Sequence, residues 1–227
     1  MFSNRQQAGI LLAQKLTQLI KHSEQVDVTK TVVLALPRGG LPVALEIASA
    51  LHCPLNIITS KKIGAPDQPE LAIGAVTSDG LVVIDKALSS YLNISPAYLE
   101  SKIEYLVTQT KSLEETWRKA AGMEISLDVR HKRVIVVDDG VATGMTAIAA
   151  ARSLRQHDVA QLILATPVAS QSAFNSLQKE YDQVVVLDMP VDFRAVGQFY
   201  TDFHQVQDVE VVEALKQMRN NSQLNLA

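Results

Sequence analysis

Four short, mostly apolar runs rich in β-branched residues constrain the fold of this chain more than any other feature: Thr31–Leu36, Arg133–Val137, Gln161–Thr166 and Gln183–Leu187. A strand with one wet face alternates apolar and polar residues, whereas a continuous apolar run suits burial on both faces. In the second half, helical patterns separate the runs, Thr143–Gln156 after the second and Ser170–Glu180 after the third. Strands alternating with helices predict an α/β fold, a Rossmann-like parallel sheet flanked by helices.

The first half adds to that sheet. Ala8, Leu11, Leu12, Leu16, Leu19 and Ile20 recur at helical spacing, which predicts a helix over Arg5–His22. A second helix is expected from Pro42 to Leu51, and a second parallel strand over Leu55–Thr59. Lys61–Glu70 reads as a polar connection containing Pro and Gly. Ala72–Val76 and Leu81–Ile84 flank Asp79-Gly80, the signature of a β-hairpin. Ser95-Pro96 opens a long helix as N-cap and first helical residue, and Gly122 is its expected stop after Ala121. On that helix Lys111, Glu114, Glu115, Arg118 and Lys119 read as a solvated face. The segment from Pro190 to Val206 is aromatic and irregular. A short helix over Asp208–Met218 follows, with Asn220–Ala227 expected to fray.

The chemistry concentrates in Val134–Thr146, VIVVDDGVATGMT. An apolar strand runs into two carboxylates, then a glycine-containing turn, then an Ala-rich helix. Such a turn presents unpaired backbone N–H groups to an anion, and the helix dipole adds to the attraction. Thr143 and Thr146 can add hydroxyl donors, and Gly140 and Gly144 permit close approach. Asp138 and Asp139 repel a phosphate. Their partners are instead sugar hydroxyls, or a Mg²⁺ reached through water. Phosphate beside a vicinal diol describes a ribose 5-phosphate. The segment lacks the Gly-Lys-Ser/Thr of a Walker loop and is not a GxGxxG turn.

These residues resemble the phosphoribosyl-diphosphate motif of the type I phosphoribosyltransferases. The spacing of the chain is most similar to a bacterial phosphoribosyltransferase-domain group. The resemblance covers about Leu34 to Tyr200 and implies one domain over residues 1–227, with an insertion near 64–122 and a small C-terminal hood near 190–206. It implies that Asp138 and Asp139 hold the ribose hydroxyls. Gly140 and Ala142 to Thr146, with Thr143, Gly144 and Met145 between them, would hold the 5′-phosphate. Leu36-Pro37-Arg38-Gly39-Gly40 is similar to the family's diphosphate loop, so Arg38, Gly39 and Gly40 would bind diphosphate, and the Pro37–Arg38 bond is the candidate for a cis peptide.

Lys62 follows the second strand and either contacts diphosphate, with Lys61 turned away, or is simply solvated. Asp67 and Glu70 lie in the adjacent connection. In the hood, Phe193 can stack on a planar acceptor and Arg194 can meet an anionic group, or the aromatic residues merely pack the tail. Where relatives acting on 6-oxopurines carry an aspartate three residues after the second acid, this chain has Ala142, which argues against a hypoxanthine/guanine enzyme.

The resemblance therefore implies an enzyme that uses phosphoribosyl diphosphate and Mg²⁺ to deliver a 5-phosphoribosyl group to a nitrogenous base. Arg38, Asp138 and Asp139 would be its catalytic residues. The alternative is a non-catalytic protein that binds the same ligand to regulate a partner. The family frequently forms dimers, so a homodimer is a further expectation.

Other classes are disfavoured. A net charge of −3 with no basic stripe does not suit nucleic-acid binding. Cys53 is the single cysteine, expected to be buried and inert, and the 5 histidines form no ligand cluster, with His204 in the aromatic tail. No run reaches the roughly 18 apolar residues of a membrane span, and no secretory signal is visible, so a cytoplasmic protein is expected.

Overall fold

The computed structural model describes residues 1–21, 30–123 and 128–224. The apolar runs form β1 (Thr31–Ala35), β6 (Arg133–Val137), β7 (Gln161–Val168) and β8 (Gln183–Asp188), joined by β2 (Leu55–Ile57). All five lie in one sheet, in the order β2-β1-β6-β7-β8, and every neighbouring pair is parallel.

Successive side chains of a strand point to opposite faces, so each run feeds two cores. Val33, Ala35, Ile135, Val137 and Ile163 pack under α1 (Arg5–Lys21), α2 (Gly40–Leu51) and α7 (Asp208–Leu224). Val32, Leu34, Val134, Val136, Leu162 and Leu164 pack under α5 (Met145–Arg155) and α6 (Gln171–Leu177). The α/β fold expected from the runs is the fold observed. The end of the α1 expectation, His22, lies outside the described residues.

Between β2 and β6 the chain builds a second sheet. β3 (Ser60–Gly64), β4 (Ala72–Thr77) and β5 (Val82–Ile84) are antiparallel, in the order β3-β4-β5. The 26-residue α4 (Pro96–Ala121) covers this sheet, with Leu106 packing against Ile63, Ile73 and Val76. Both ends of α4 follow the sequence signals. Ser95 Oγ accepts from Tyr98 N, and Gly122 ends the helix in the left-handed conformation at φ 67°.

Three expectations are corrected, and one further helix is found. Lys61 and Lys62 belong to β3 rather than to a loop. Residues Lys86–Tyr91 form a short helix, α3, whose N-cap Asp85 accepts from Leu88 N at 2.9 Å. The charged face of α4 is only partly wet. Lys111 and Lys119 are exposed, but Arg118 is fully buried, donating to Glu114 Oε1 at 3.1 Å and to the Ile57 carbonyl at 2.8 Å. Glu114 Oε2 accepts from Thr59 N and Ser78 Oγ, each at 2.8 Å, so this pair fastens the second sheet to the end of β2. Finally, α7 runs on to Leu224 rather than fraying from Asn220, and residues 225–227 lie outside the described chain.

Candidate active site

The chain leaves β1 toward β2 on one side, and β6 toward β7 and β8 on the other. The strand order therefore reverses between β1 and β6, whose last residues, Ala35 and Val137, are in register. In open parallel sheets this reversal opens a crevice at the carboxyl ends of the strands. A cavity of about 330 Å³ lies there, within the range of small-molecule sites. Its lining includes Pro37, Ser60, Lys62, Asp138, Asp139, the turn from Gly140 to Gly144, and Thr146, with Val196 and Phe203 on the far side.

The turn after β6 is held in place by backbone pairing. Val141 N donates to the Val168 carbonyl at 2.8 Å, Ser170 N donates to that of Val141 at 2.9 Å, and Ser170 Oγ donates to the Ala142 carbonyl at 2.6 Å. Gly144 takes φ 79°, a left-handed angle that side-chain-bearing residues rarely adopt, and it starts α5 with no side-chain cap. The first turn of α5 contains no acidic residue, and the same holds for α2, which begins after Gly39. In contrast, α3, α4 and α6 are capped by Asp85, Ser95 and Ser170. No side chain caps either helix beside the crevice, but at α2 Gly40 N donates to the Leu36 carbonyl at 3.0 Å and Leu41 N to that of Arg38 at 3.2 Å. It is therefore the start of α5 that has the arrangement of an anion site.

At the floor, Asp139 N donates to Asp138 Oδ1 at 2.9 Å. Desolvation pushes the Asp138 carboxyl well above the usual carboxylate range. The adjacent Asp139 charge raises it further, and Lys62 pulls it back. Asp139 is also pushed up by burial, against the hydrogen bond and charge of Arg5. A Cβ on Gly39 would overlap the Asp139 carboxylate, so only glycine lets the loop after β1 close over it. The Pro37–Arg38 bond of that loop is cis.

The remaining expected residues divide. Lys62 lines the crevice, while Lys61 lies within 3.3 Å of Gln109 Oε1 on α4. Gly39, Gly40 and Met145 stand at the uncapped helix starts, behind the lining. The Arg38 side chain turns out of the crevice, where Nε meets Asp208 Oδ1 at 2.7 Å. Asp67 and Glu70 are exposed. Phe193 turns its ring onto Phe199, 5.1 Å between centroids, and Arg194 is exposed, so neither lines the cavity. His204 is exposed beside Asp202 and Glu210. Cys53 is buried, and desolvation pushes its thiol up to about 11, an inert setting.

Three features have no signal in the sequence pattern. Arg5, on the first turn of α1, donates from Nε to Asp139 Oδ2 at 2.7 Å and from Nη1 to the His204 carbonyl at 2.8 Å. Its guanidinium lies 3.8 Å from the centroid of the Phe203 ring. Tyr200 Oη donates to the Asp139 carbonyl at 2.6 Å. Ser60 Oγ is buried in the crevice wall with no hydrogen-bond partner in the structure. Ser60 and Lys62 are two apart on β3, so strand geometry places them on one face.

The comparisons with known proteins agree with this architecture. The family model described as "Phosphoribosyl transferase domain" matches residues 4–204. Two curated relatives from Mycobacterium tuberculosis, strains CDC 1551 / Oshkosh and ATCC 25618 / H37Rv, provisionally named phosphoribosyl transferases, are each 37% identical over 218 residues. The match takes in 95% of this chain but 46% of theirs, so the chain spans about half the length of those relatives. The crystal structure of TT1426 from Thermus thermophilus is similar over 96% of this chain and 98% of its own, with 35% identity and a TM-score of 0.76. AQ2163 from Aquifex aeolicus, 9% identical with a TM-score of 0.51 over 82% of this chain and 74% of its own, shares the fold. With the crevice, the acid pair and a family match over residues 4–204, the chain belongs to the phosphoribosyl transferase domain family.

Proposed function

We propose that this domain transfers a 5-phosphoribosyl group from phosphoribosyl diphosphate to a nitrogenous base, with release of diphosphate. The observation that carries this reading is the crevice, in which the acid pair Asp138–Asp139 lies between the uncapped start of α5 and the loop at Pro37–Gly40. The α5 turn, with Thr143 and Thr146, suits the 5′-phosphate, the carboxylates suit the ribose hydroxyls, and the loop at Pro37–Gly40 with Lys62 suits the diphosphate. Arg38 would join the diphosphate by exchanging Asp208 for it. A grip at both ends of the donor fixes the anomeric carbon between them.

In the reaction an acceptor nitrogen forms a bond to the anomeric carbon as the bond from that carbon to the diphosphate oxygen breaks. The electron pair leaves with the diphosphate and the acceptor loses a proton. Asp138 and Asp139 fit a Mg²⁺ that arrives on the donor, because two adjacent carboxylates share one ion pair among the described residues. When bound, that ion neutralises charge on the leaving diphosphate. Val196 and Phe203, which line the hood side, make an apolar wall for the acceptor, with Phe193 and Arg194 further out. The homodimer suggested by the family resemblance belongs to the same proposal.

Calorimetry with phosphoribosyl diphosphate and Mg²⁺, followed by a diphosphate-release assay over a panel of bases, tests this reading. Saturable binding with base-dependent release is the expected result. Absence of binding overturns the ligand assignment. Binding without release for any base would assign the domain to regulation by the same ligand.

A further inference from the structure

Arg5 lies far from the acid pair in sequence, 134 residues before Asp139, yet it is 8% exposed and reaches the crevice floor. We infer that Arg5 is a positioning residue for ribose recognition, holding Asp139 so that its carboxylate meets the sugar hydroxyls. This inference rests on the proposed role of the acid pair and adds a residue and an element to it.

The geometry is directional. The guanidinium engages Oδ2 of Asp139 through Nε, while Asp139 itself lines the cavity. Nη1 is spent on the His204 carbonyl, and Phe203 packs against the guanidinium plane. A guanidinium fixed at three points leaves its carboxylate partner little rotational freedom. The backbone beneath Asp139 is fixed separately by Tyr200 Oη, so Arg5 acts on the side chain and not on the course of the loop. A lysine in the same place would supply charge but not the fork that reaches Asp139 and His204 together. Because Phe203 and His204 lie on the hood side, Arg5 also links the ribose floor to the acceptor wall.

The probes are ribose 5-phosphate and its 2,3-dideoxy analogue, titrated by calorimetry into the full chain and into Arg5→Met and Arg5→Lys. The chain as it stands should prefer ribose 5-phosphate. Arg5→Met should weaken ribose 5-phosphate by about tenfold while leaving the dideoxy analogue unchanged. Arg5→Lys should restore part of the preference. If Arg5→Met fails to fold, Arg5→Met/Asp139→Asn removes both charges. Its affinity for ribose 5-phosphate should equal that of Asp139→Asn alone, because the arginine has then nothing to position. A folded Arg5→Met with the full preference, or equal weakening of both probes, overturns the inference while leaving the ribose assignment standing. An unsubstituted chain that does not distinguish the probes overturns the ribose assignment itself, and the role of Arg5 with it.

Discussion

Arg118 and Arg5 each carry a guanidinium into the interior against a carboxylate, Glu114 and Asp139. The side chains are almost equally hidden, at 2% and 13% exposure for the first pair and 9% and 12% for the second. They differ in what remains of the carboxylate. Glu114 is spent on both oxygens, Oε1 on Arg118 and Oε2 on Thr59 N and Ser78 Oγ, and it closes a joint between two sheets. Asp139 meets Arg5 through Oδ2 and lines the crevice beside the second carboxylate, Asp138. Burial of charge is therefore no marker of function by itself. Capacity left over in a cavity is the better one, because unfilled hydrogen-bonding capacity is costly unless a ligand uses it.

Substitutions can separate the two pairs. The largest effect is expected from Asp138→Asn with Asp139→Asn, which should weaken phosphoribosyl diphosphate binding by about a thousandfold, two charge-assisted hydrogen bonds at about 2 kcal/mol each, with an unchanged circular dichroism spectrum. A double variant that still binds normally would remove the distinction between the pairs. Arg118→Met should do the reverse, costing about 3 kcal/mol in denaturant unfolding and leaving ligand affinity unchanged below its melting temperature. A loss of affinity there would show that the joint, too, belongs to the site.

Asp138→Asn alone sharpens the contrast through pH. Desolvation, then the Asp139 charge, raise Asp138 in the folded state, so above the ordinary carboxylate range near pH 4 the folded protein keeps a proton that the unfolded chain has lost. Stability of the ligand-free protein should fall as pH rises through that window. The asparagine variant removes this titration. It should therefore gain in melting temperature relative to the parent as pH rises above about 4, while losing the ligand. A constant difference across that range would refute it. The smallest effect is expected at Ser60, whose orphaned hydroxyl stabilises nothing in the fold. Ser60→Ala should leave the melting temperature unchanged or slightly raised and weaken the ligand about threefold, a fraction of one neutral hydrogen bond.

Much of this was legible where the signal is local. Ser95-Pro96 and Gly122 mark the ends of α4 within the sequence that forms it, and the strand, acid pair and turn of Val134–Thr146 lie contiguously. The sequence also pointed to the loop at Pro37–Gly40, because it follows a buried strand in the same manner. Tertiary pairing was hidden. Lys61–Glu70 reads as a polar connection because the strand that begins it, Ser60–Gly64, carries Ser60, Lys61 and Lys62 where it pairs with β4. Arg118 has the spacing of a solvated i,i+4 partner of Glu114, and nothing in α4 says that the Ile57 carbonyl waits above it. Arg5 is one polar residue in an amphipathic pattern, and its carboxylate stands in the turn after β6, far along the chain. Phe193 looked outward to an acceptor but found an aromatic neighbour, Phe199, six residues away.

The links from Arg5 have a consequence for how the molecule is made. Its two hydrogen bonds span 134 and 199 residues, so they are among the contacts that depend most on distant parts of the chain meeting. Pairings of such long range carry a high loop-closure cost and form late. During synthesis, β1, β6 and β7 can assemble while residues near His204 are still in the ribosome. At that stage the crevice has its turn and its acid pair but not its final shape. Competence to hold a sugar would then be the last property the domain acquires, and pulse-labelled hydrogen exchange should find the amides of residues 199–204 protected after those of the central strands.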